Sequence, residues 1–162
     1  MKKPPSLKKV NEIYKEYKKF VWREIPNQTK INWKIKELKF GVWEKDYWAA
    51  KNNKIFVGNY YKSPSKILTS IIHEAIHLNT INKKTILMLS GSKEKAQARE
   101  IATCILTNII IRNLNKRLNK RHKENRFDDW YKKYEKISKE LETKRGNKNF
   151  YEFCAIIKKG IK

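Results

Sequence analysis

The sequence predicts an α+β fold, in which a small antiparallel sheet of three strands packs on two central helices and further helices lie at both ends. Three observations support this fold. Apolar residues recur at three- and four-residue spacing in several long segments, a shorter stretch alternates with a period of two, and glycine or asparagine separates its parts. With 162 residues, 40% of them hydrophobic, the chain can bury one core. We therefore expect a single domain over residues 1–162, with a core at about 30–110 and a helical extension at about 112–162.

The N-terminal segment is predicted to form a helix from about Ser6 to Arg23, and Pro26 is expected to end it. Three strands should follow. The first is indicated by the alternation of apolar and polar residues that starts at Ile31 and runs to Phe40. The other two are predicted at residues 42–49 and 55–57, and they are separated by an asparagine turn at residues 51–53.

The next helix has clear signals at its start. Ser63 is a typical N-cap residue, and Pro64 suits the first helical position, where a backbone N–H has no partner within the helix. Beyond them the apolar residues form one broad flank, which should be buried. That flank consists of Ile67, Leu68, Ile71, Ile72, Ala75, Ile76 and Leu78.

This helix carries the pattern His-Glu-x-x-His as His73, Glu74 and His77. Residues four apart lie one turn above each other, so the two imidazoles can converge on one metal ion while Glu74 reaches a water bound to that metal. Imidazole nitrogen suits Zn²⁺, and placing two histidines in an apolar region costs free energy unless a polar or metallic partner satisfies them. The pattern predicts a zinc site with Glu74 as general base.

The following helix is predicted over residues 92–111 with Ser92 as its cap, and it carries two acidic candidates for a further metal ligand, Glu94 and Glu100. At about 100° per residue, Glu94 lies at the edge of the apolar side of this helix, whereas Glu100 points nearly opposite. Glu94 is therefore the predicted metal ligand. The alternative for Glu94 is that a first-turn acid only stabilises the N-terminus of the helix. The apolar side consists of Ala98, Ile101, Ala102, Ile105 and Ile109.

The third histidine, His122, lies in the cationic run from Lys116 to Arg126. Such a neighbourhood is typical of a solvated loop, so His122 is only the fallback for the third ligand. Beyond it, apolar spacing predicts a helix from Phe127 to Leu141 and a final helix from Phe150 to Ile157, which we expect to pack on the N-terminal helix or on a second copy.

The formal net charge of +23 is extreme and would attract nucleic acid or an anionic membrane. The excess is mostly lysine, which, together with many asparagines and isoleucines, is also what A/T-rich codons encode. Both interpretations remain open. Arginine is the better residue for reading bases, and its scarcity argues against sequence-specific recognition.

The compartment is predicted from the cysteines and the N-terminus. Cys104 and Cys154 lie far apart without a C-x-x-C spacing, which favours free thiols in a reducing compartment. The N-terminal residues lack the features of a signal peptide, and no stretch approaches eighteen apolar residues. The expected location is the cytoplasm.

The order of a helix, a short sheet, a helix with His73-Glu74-Ala75-Ile76-His77 and a second ligand helix resembles the small zincins. These are the minigluzincins, the ImmA/IrrE-type peptidases and, more distantly, the SprT-like proteins, and the resemblance covers roughly residues 30–110. It implies a Zn²⁺-dependent peptidase acting on a protein or peptide. In these families the third ligand is commonly a glutamate; when their pattern is laid on this chain it falls on Lys95, next to Glu94.

A second hypothesis rests on the net charge of +23 and on the one-residue offset between Glu94 and the family's ligand position at Lys95. The chain would then be a basic module associated with nucleic acid, whose zincin core is catalytically silent. Binding that weakens steeply with salt and is unchanged in Glu74→Gln would distinguish this hypothesis from a peptidase.

Overall fold

The computed structural model describes residues 3–59, 63–81, 92–122 and 132–160. The protein is α+β, as predicted. Buried residues from α1, β3 and all the later helices form one hydrophobic cluster. In chain order the elements are α1 (Leu7–Thr29), β1 (Lys39–Val42), β2 (Ala49–Lys51), β3 (Lys54–Val57), α2 (Pro64–Thr80), α3 (Lys93–Leu118), α4 (Lys132–Glu135), α5 (Ser138–Arg145) and α6 (Phe150–Gly160).

Helix α1 continues through Pro26, so the prediction that this proline ends the helix is wrong. A proline inside a helix leaves the carbonyl four residues earlier without its N–H partner. Here that carbonyl belongs to Trp22, and the indole Nε1–H of Trp33 donates to it at 2.9 Å. The helix ends one turn later at Lys30, which has φ of 57° and donates its N–H to the Pro26 carbonyl at 2.9 Å.

The segment from residue 31 to residue 38 forms no strand, although its alternation predicted one. Its backbone is bonded to side chains instead of to a neighbouring strand. The Asn79 amide donates to the Ile31 carbonyl at 3.0 Å and accepts from the Thr29 hydroxyl at 2.7 Å. The alternating side chains are partly buried against the core. These contacts tie the C-terminal ends of α1 and α2 together, two residues beyond His77.

The sheet has the order β1-β3-β2, with β1 parallel to β3 and β2 antiparallel to it. The predicted antiparallel arrangement is therefore wrong for β1. Residues 43–48 cross over and place β2 on the far side of β3. This crossover passes close to Gly58, where a Cβ would lie 2.3 Å from the Tyr47 carbonyl oxygen, so only glycine fits. Asn52 and Asn53 have φ of 52° and 58° and form the predicted turn between β2 and β3.

Helices α2 and α3 begin where their capping residues predict. The Ser63 hydroxyl accepts from the Lys66 N–H, and the Ser92 hydroxyl accepts from the Lys95 N–H at 3.2 Å. Helix α3 continues seven residues beyond its predicted end, to Leu118. Helix α2 contacts α1, α3, β2 and β3, while α3 contacts α1, α2 and α6. Consequently most residues of α2 are buried, and the middle of α3 is buried on more than one side.

The C-terminal part packs mainly on α3. The predicted helix starting at Phe127 lies partly outside the described residues, and its described part is divided into α4 and α5. Helix α6 contacts α3 and α5, which corrects the expectation of packing on α1. The Tyr151 hydroxyl donates to the Thr80 carbonyl at 2.9 Å and joins α6 to α2.

Cys104 and Cys154 are free thiols, as predicted. Within the described ranges, no helix combines the length and apolar character needed to cross a membrane.

Candidate metal centre

Helix α2 places His73 and His77 on one face, as their spacing predicts. Their Nε2 atoms are 3.2 Å apart, and only 10% and 12% of the two side chains is exposed. The buried flank of the helix carries isoleucine and leucine on either side of the pair. Two imidazoles therefore converge within an apolar region, where they need a partner.

The third member of this group is Glu100. Its Oε1 lies 2.8 Å from His73 Nε2, and its Oε2 lies 3.1 Å from His77 Nε2. Four ligands held tetrahedrally at zinc distances are separated from one another by about 3.3 Å. The two nitrogen–oxygen distances of 2.8 Å and 3.1 Å and the nitrogen–nitrogen distance of 3.2 Å are close to this separation. Among the described residues, His73, His77 and Glu100 thus form a group that could hold a metal ion.

Glu94, the predicted third ligand, is not a member of this group. Glu94 is exposed in the first turn of α3, six residues or about 9 Å along the axis from Glu100. There it has the position of an acid that stabilises a helix N-terminus, which was the alternative. The expectation that Glu100 points away from the core is wrong.

The error has a physical cause, because α3 has no single apolar side. The small and apolar residues that follow Glu100 at helical spacing are also buried, since α1, α2 and α6 all contact this helix. They form a second face of α3, which differs from the apolar side from which Glu94 was predicted. This second face consists of Thr103, Cys104, Thr107 and Ile111.

His122 is not a solvated loop residue, contrary to expectation, and it does not join the metal-binding group. Its Nε2 lies 2.9 Å from the Tyr17 hydroxyl, and its Nδ1 lies 3.0 Å from the Ser65 hydroxyl. The Asn115 side chain bonds both its N–H and its carbonyl. His122 therefore joins α1, the start of α2 and the end of α3.

These contacts give His122 an acid-sensitive role. Burial, with Lys120 second, lowers the pKa of His122 below its ordinary value of 6.5, against a smaller opposing effect of Glu16. The unfolded chain binds this proton more readily than the folded protein does. The contribution of His122 to the free energy of unfolding should therefore be fully present above pH 6.5 and be lost as the pH drops through the lowered pKa. We expect the His122 ring to titrate below 6.5 by NMR. Urea unfolding measures the free energy of unfolding at pH 7 and pH 5. The decrease between the two pH values should be smaller in His122→Gln than in the unmodified protein, and an equal decrease would contradict this role.

The charge of the Glu100 carboxylate is stabilised by the histidines. Burial raises the pKa of Glu100, but His73 and His77 outweigh this effect and hold it well below the usual value of 4.5. Burial lowers the pKa of His73, whereas Glu100 and the nearby Cys104 thiol raise it, and the net value lies well above 6.5. Without metal, these shifts favour an ionised Glu100 and a protonated His73. A metal ion must displace that proton, so metal binding should be pH-dependent.

Two further charged groups adjoin the site. Glu74 is 7% exposed, and on an ideal helix it lies about 100° from His73 and about 60° from His77. Arg99, which the sequence did not single out, donates to the His77 carbonyl at 3.3 Å. Burial lowers the pKa of Arg99, while nearby Glu100 and Glu74 are among the groups that oppose this shift. Arg99 therefore places a cation near both acids and at the end of α2.

No family model, no curated protein and no solved structure matches this chain. Inference about its function rests on the site itself.

Proposed function

We propose that the protein is a zinc-dependent peptidase. His73, His77 and Glu100 would hold Zn²⁺ and leave one position for water. The observation that carries the proposal is the convergence of three side chains from α2 and α3, whose nitrogen and oxygen atoms lie 2.8–3.2 Å apart. Glu74 is buried on α2 beside the two histidines. When bound, zinc supplies a water whose pKa is lowered towards 7 and an electrophile that polarises the peptide carbonyl.

The chain supplies the proton transfers. Glu74 would accept a proton from the attacking water and return it to the leaving amine, as a general base that becomes a general acid. Arg99 supports this arrangement because it bonds the His77 carbonyl and lies close enough to Glu74 and Glu100 for charge interaction. Its guanidinium offsets the negative charge of two acids in a partly buried site. Arg99 thereby positions the end of the ligand helix.

Access and charge favour a protein or peptide substrate with acidic character. The Glu100 side chain is 29% exposed, whereas His73 is 10% exposed, so solvent reaches the site from the Glu100 side. The net charge of +23 attracts anionic chains and repels basic ones. Because both cysteines are free, a reducing compartment suits the protein, and we place the activity in the cytoplasm.

Metal analysis of protein purified without a histidine tag tests the proposal most directly. We expect about one zinc per chain, and cleavage of an unstructured acidic protein that stops when zinc is chelated and returns when zinc is restored. A zinc content near zero after reconstitution would reject the proposal. Zinc binding without cleavage of any peptide tested would leave the silent-core hypothesis as the better account.

Metal removal should also lower the thermal stability of the fold. A zinc bound by His73, His77 and Glu100 cross-links α2 and α3, and an ion that binds only the folded state stabilises it by mass action. With zinc at about 100 times its dissociation constant the gain is about 2.7 kcal/mol, or about 5–10 °C for a chain of this size. Calorimetry with and without a chelator measures this shift. An unchanged melting temperature with zinc demonstrably removed would contradict a zinc between the helices.

A further inference from the structure

The outer face of the sheet carries a row of three lysines. Strand side chains alternate between faces: on β3, Ile55 and Val57 are fully buried, whereas Lys54 is exposed on the other side. The strand register pairs Lys54 with Lys39 of β1 and with Lys51 of β2. The three lysines, which we call the lysine row, thus occupy neighbouring positions across all three strands.

Such a row is unfavourable for the sheet on its own. Like charges directly opposite each other on neighbouring strands destabilise the pairing. Lys39 contacts Glu37 at 3.4 Å, but both side chains are about 60% exposed, and surface ion pairs of this kind contribute little. Within the part of the chain that the structure describes, the repulsion within the lysine row is therefore largely uncompensated, and an anionic ligand would relieve it.

Aromatic side chains lie beside the lysine row. Trp43 stacks on Phe56 with ring centroids 5.3 Å apart at 27°, and Tyr47 meets Trp43 edge-on at 5.1 Å. Tyr47 is 50% exposed. Next to them Gly41 has no side chain to cover the Phe56 ring, from which a Cβ would lie only 3.3 Å. We call Trp43, Tyr47 and Phe56 the aromatic platform.

A fourth lysine, Lys45, lies on the aromatic platform. Lys45 Nζ lies 5.2 Å from the Trp43 ring centroid and 5.5 Å from that of Tyr47, and it also donates to the Tyr47 hydroxyl at 3.1 Å. Its charge therefore rests on the same surface where an incoming ring would stack. When nucleic acid binds, this exposed ammonium can leave the two rings and contact a phosphate group. The ring faces are then free for a base to stack on.

We propose that this outer face binds single-stranded nucleic acid. Phosphates would contact the lysine row, and bases would stack on the aromatic platform, which begins two residues or about 7 Å further along β3. Stacking requires unpaired bases, since a duplex covers their faces. Helix α2 contacts β2 and β3, and the buried Ile55 and Val57 of β3 lie on the opposite face, so this surface is separate from the metal centre.

Fluorescence anisotropy with labelled single-stranded DNA and RNA of about 12 nucleotides tests the proposal. Changing all of the lysine row to glutamine should weaken binding about tenfold or more and reduce the slope of log K against log salt by about 2, for three phosphate contacts on a single strand. The matched control changes three exposed lysines of α1 (Lys8, Lys15 and Lys19) to glutamine and alters the net charge equally. It should weaken binding less than about threefold.

A second variant separates stacking from charge. Tyr47→Leu keeps the charge and should weaken single-strand binding about five- to tenfold with an unchanged salt slope. Thermal melting of each variant verifies folding, and removal of the lysine row should leave the melting temperature equal or higher, because the repulsion is gone. The proposal would be overturned if both triple variants lost single-strand affinity equally or if the protein bound duplex as tightly as single strands. Preference for an acidic protein, or no binding at low salt, would also overturn it.

Discussion

Glu100→Ala is expected to abolish zinc binding at ordinary metal concentrations. The change removes the carboxylate that lies 2.8 Å and 3.1 Å from the two histidine nitrogens and leaves two ligands on one helix. Loss of an outer partner of a metal ligand costs 10–100-fold in affinity, so loss of a direct ligand should cost about 100-fold or more, and activity should follow the metal. Competition with a chromogenic zinc chelator measures the affinity.

The matched control for this experiment is Glu94→Ala, on the same helix but exposed. It should bind zinc like the unmodified protein and lose at most a few tenths of a kcal/mol of stability from the helix terminus. Circular dichroism of both metal-free variants verifies that the fold persists. If Glu94→Ala loses zinc and Glu100→Ala keeps it, the assignment of the third ligand is wrong.

Glu74→Gln is expected to lower peptide hydrolysis by about 10²–10⁴-fold while zinc remains bound. Glutamine preserves the shape of the side chain but cannot accept the proton, and the three side chains of the metal site are unchanged. The measurement pairs kcat with zinc content in the same preparation. A fall in activity with full zinc occupancy identifies Glu74 as the group that transfers the proton.

A matched change for comparison is Glu94→Gln, which alters charge equally at an exposed position of the neighbouring helix. Its activity should stay within about twofold of the unmodified protein. Full activity in Glu74→Gln would exclude a general-base role for this residue. Loss of zinc from that variant would instead indicate that Glu74 supports the metal centre structurally.

The proposed nucleic-acid surface and the metal centre can be separated experimentally because they involve different residues. Glu74→Gln should leave single-strand binding unchanged, whereas glutamines in the lysine row should leave hydrolysis of a short neutral peptide unchanged. A protein with both properties would bring a peptidase to proteins assembled on nucleic acid. A protein with nucleic-acid binding alone would match the silent-core hypothesis.

Sequence alone predicted the features that depend on neighbouring residues. The caps at Ser63 and Ser92 start α2 and α3 because a side-chain oxygen three residues away satisfies an N–H that the helix leaves unpaired. The pairing of His73 with His77 follows from the four-residue period of a helix. The asparagine turn between β2 and β3 follows from the ease with which asparagine adopts positive φ.

Tertiary structure decided the features that depend on which surfaces meet. Glu100 faces the histidines because three helices surround α3 and bury the side that its isoleucines do not mark. Helix α1 passes Pro26 because a tryptophan from a later segment satisfies the free carbonyl. Strand β1 is parallel to β3 because the crossover places β2 at the far edge of the sheet, and the chain then turns back between β1 and β2 as β3. In each case the partner lies outside the local segment, where periodicity and capping carry no information.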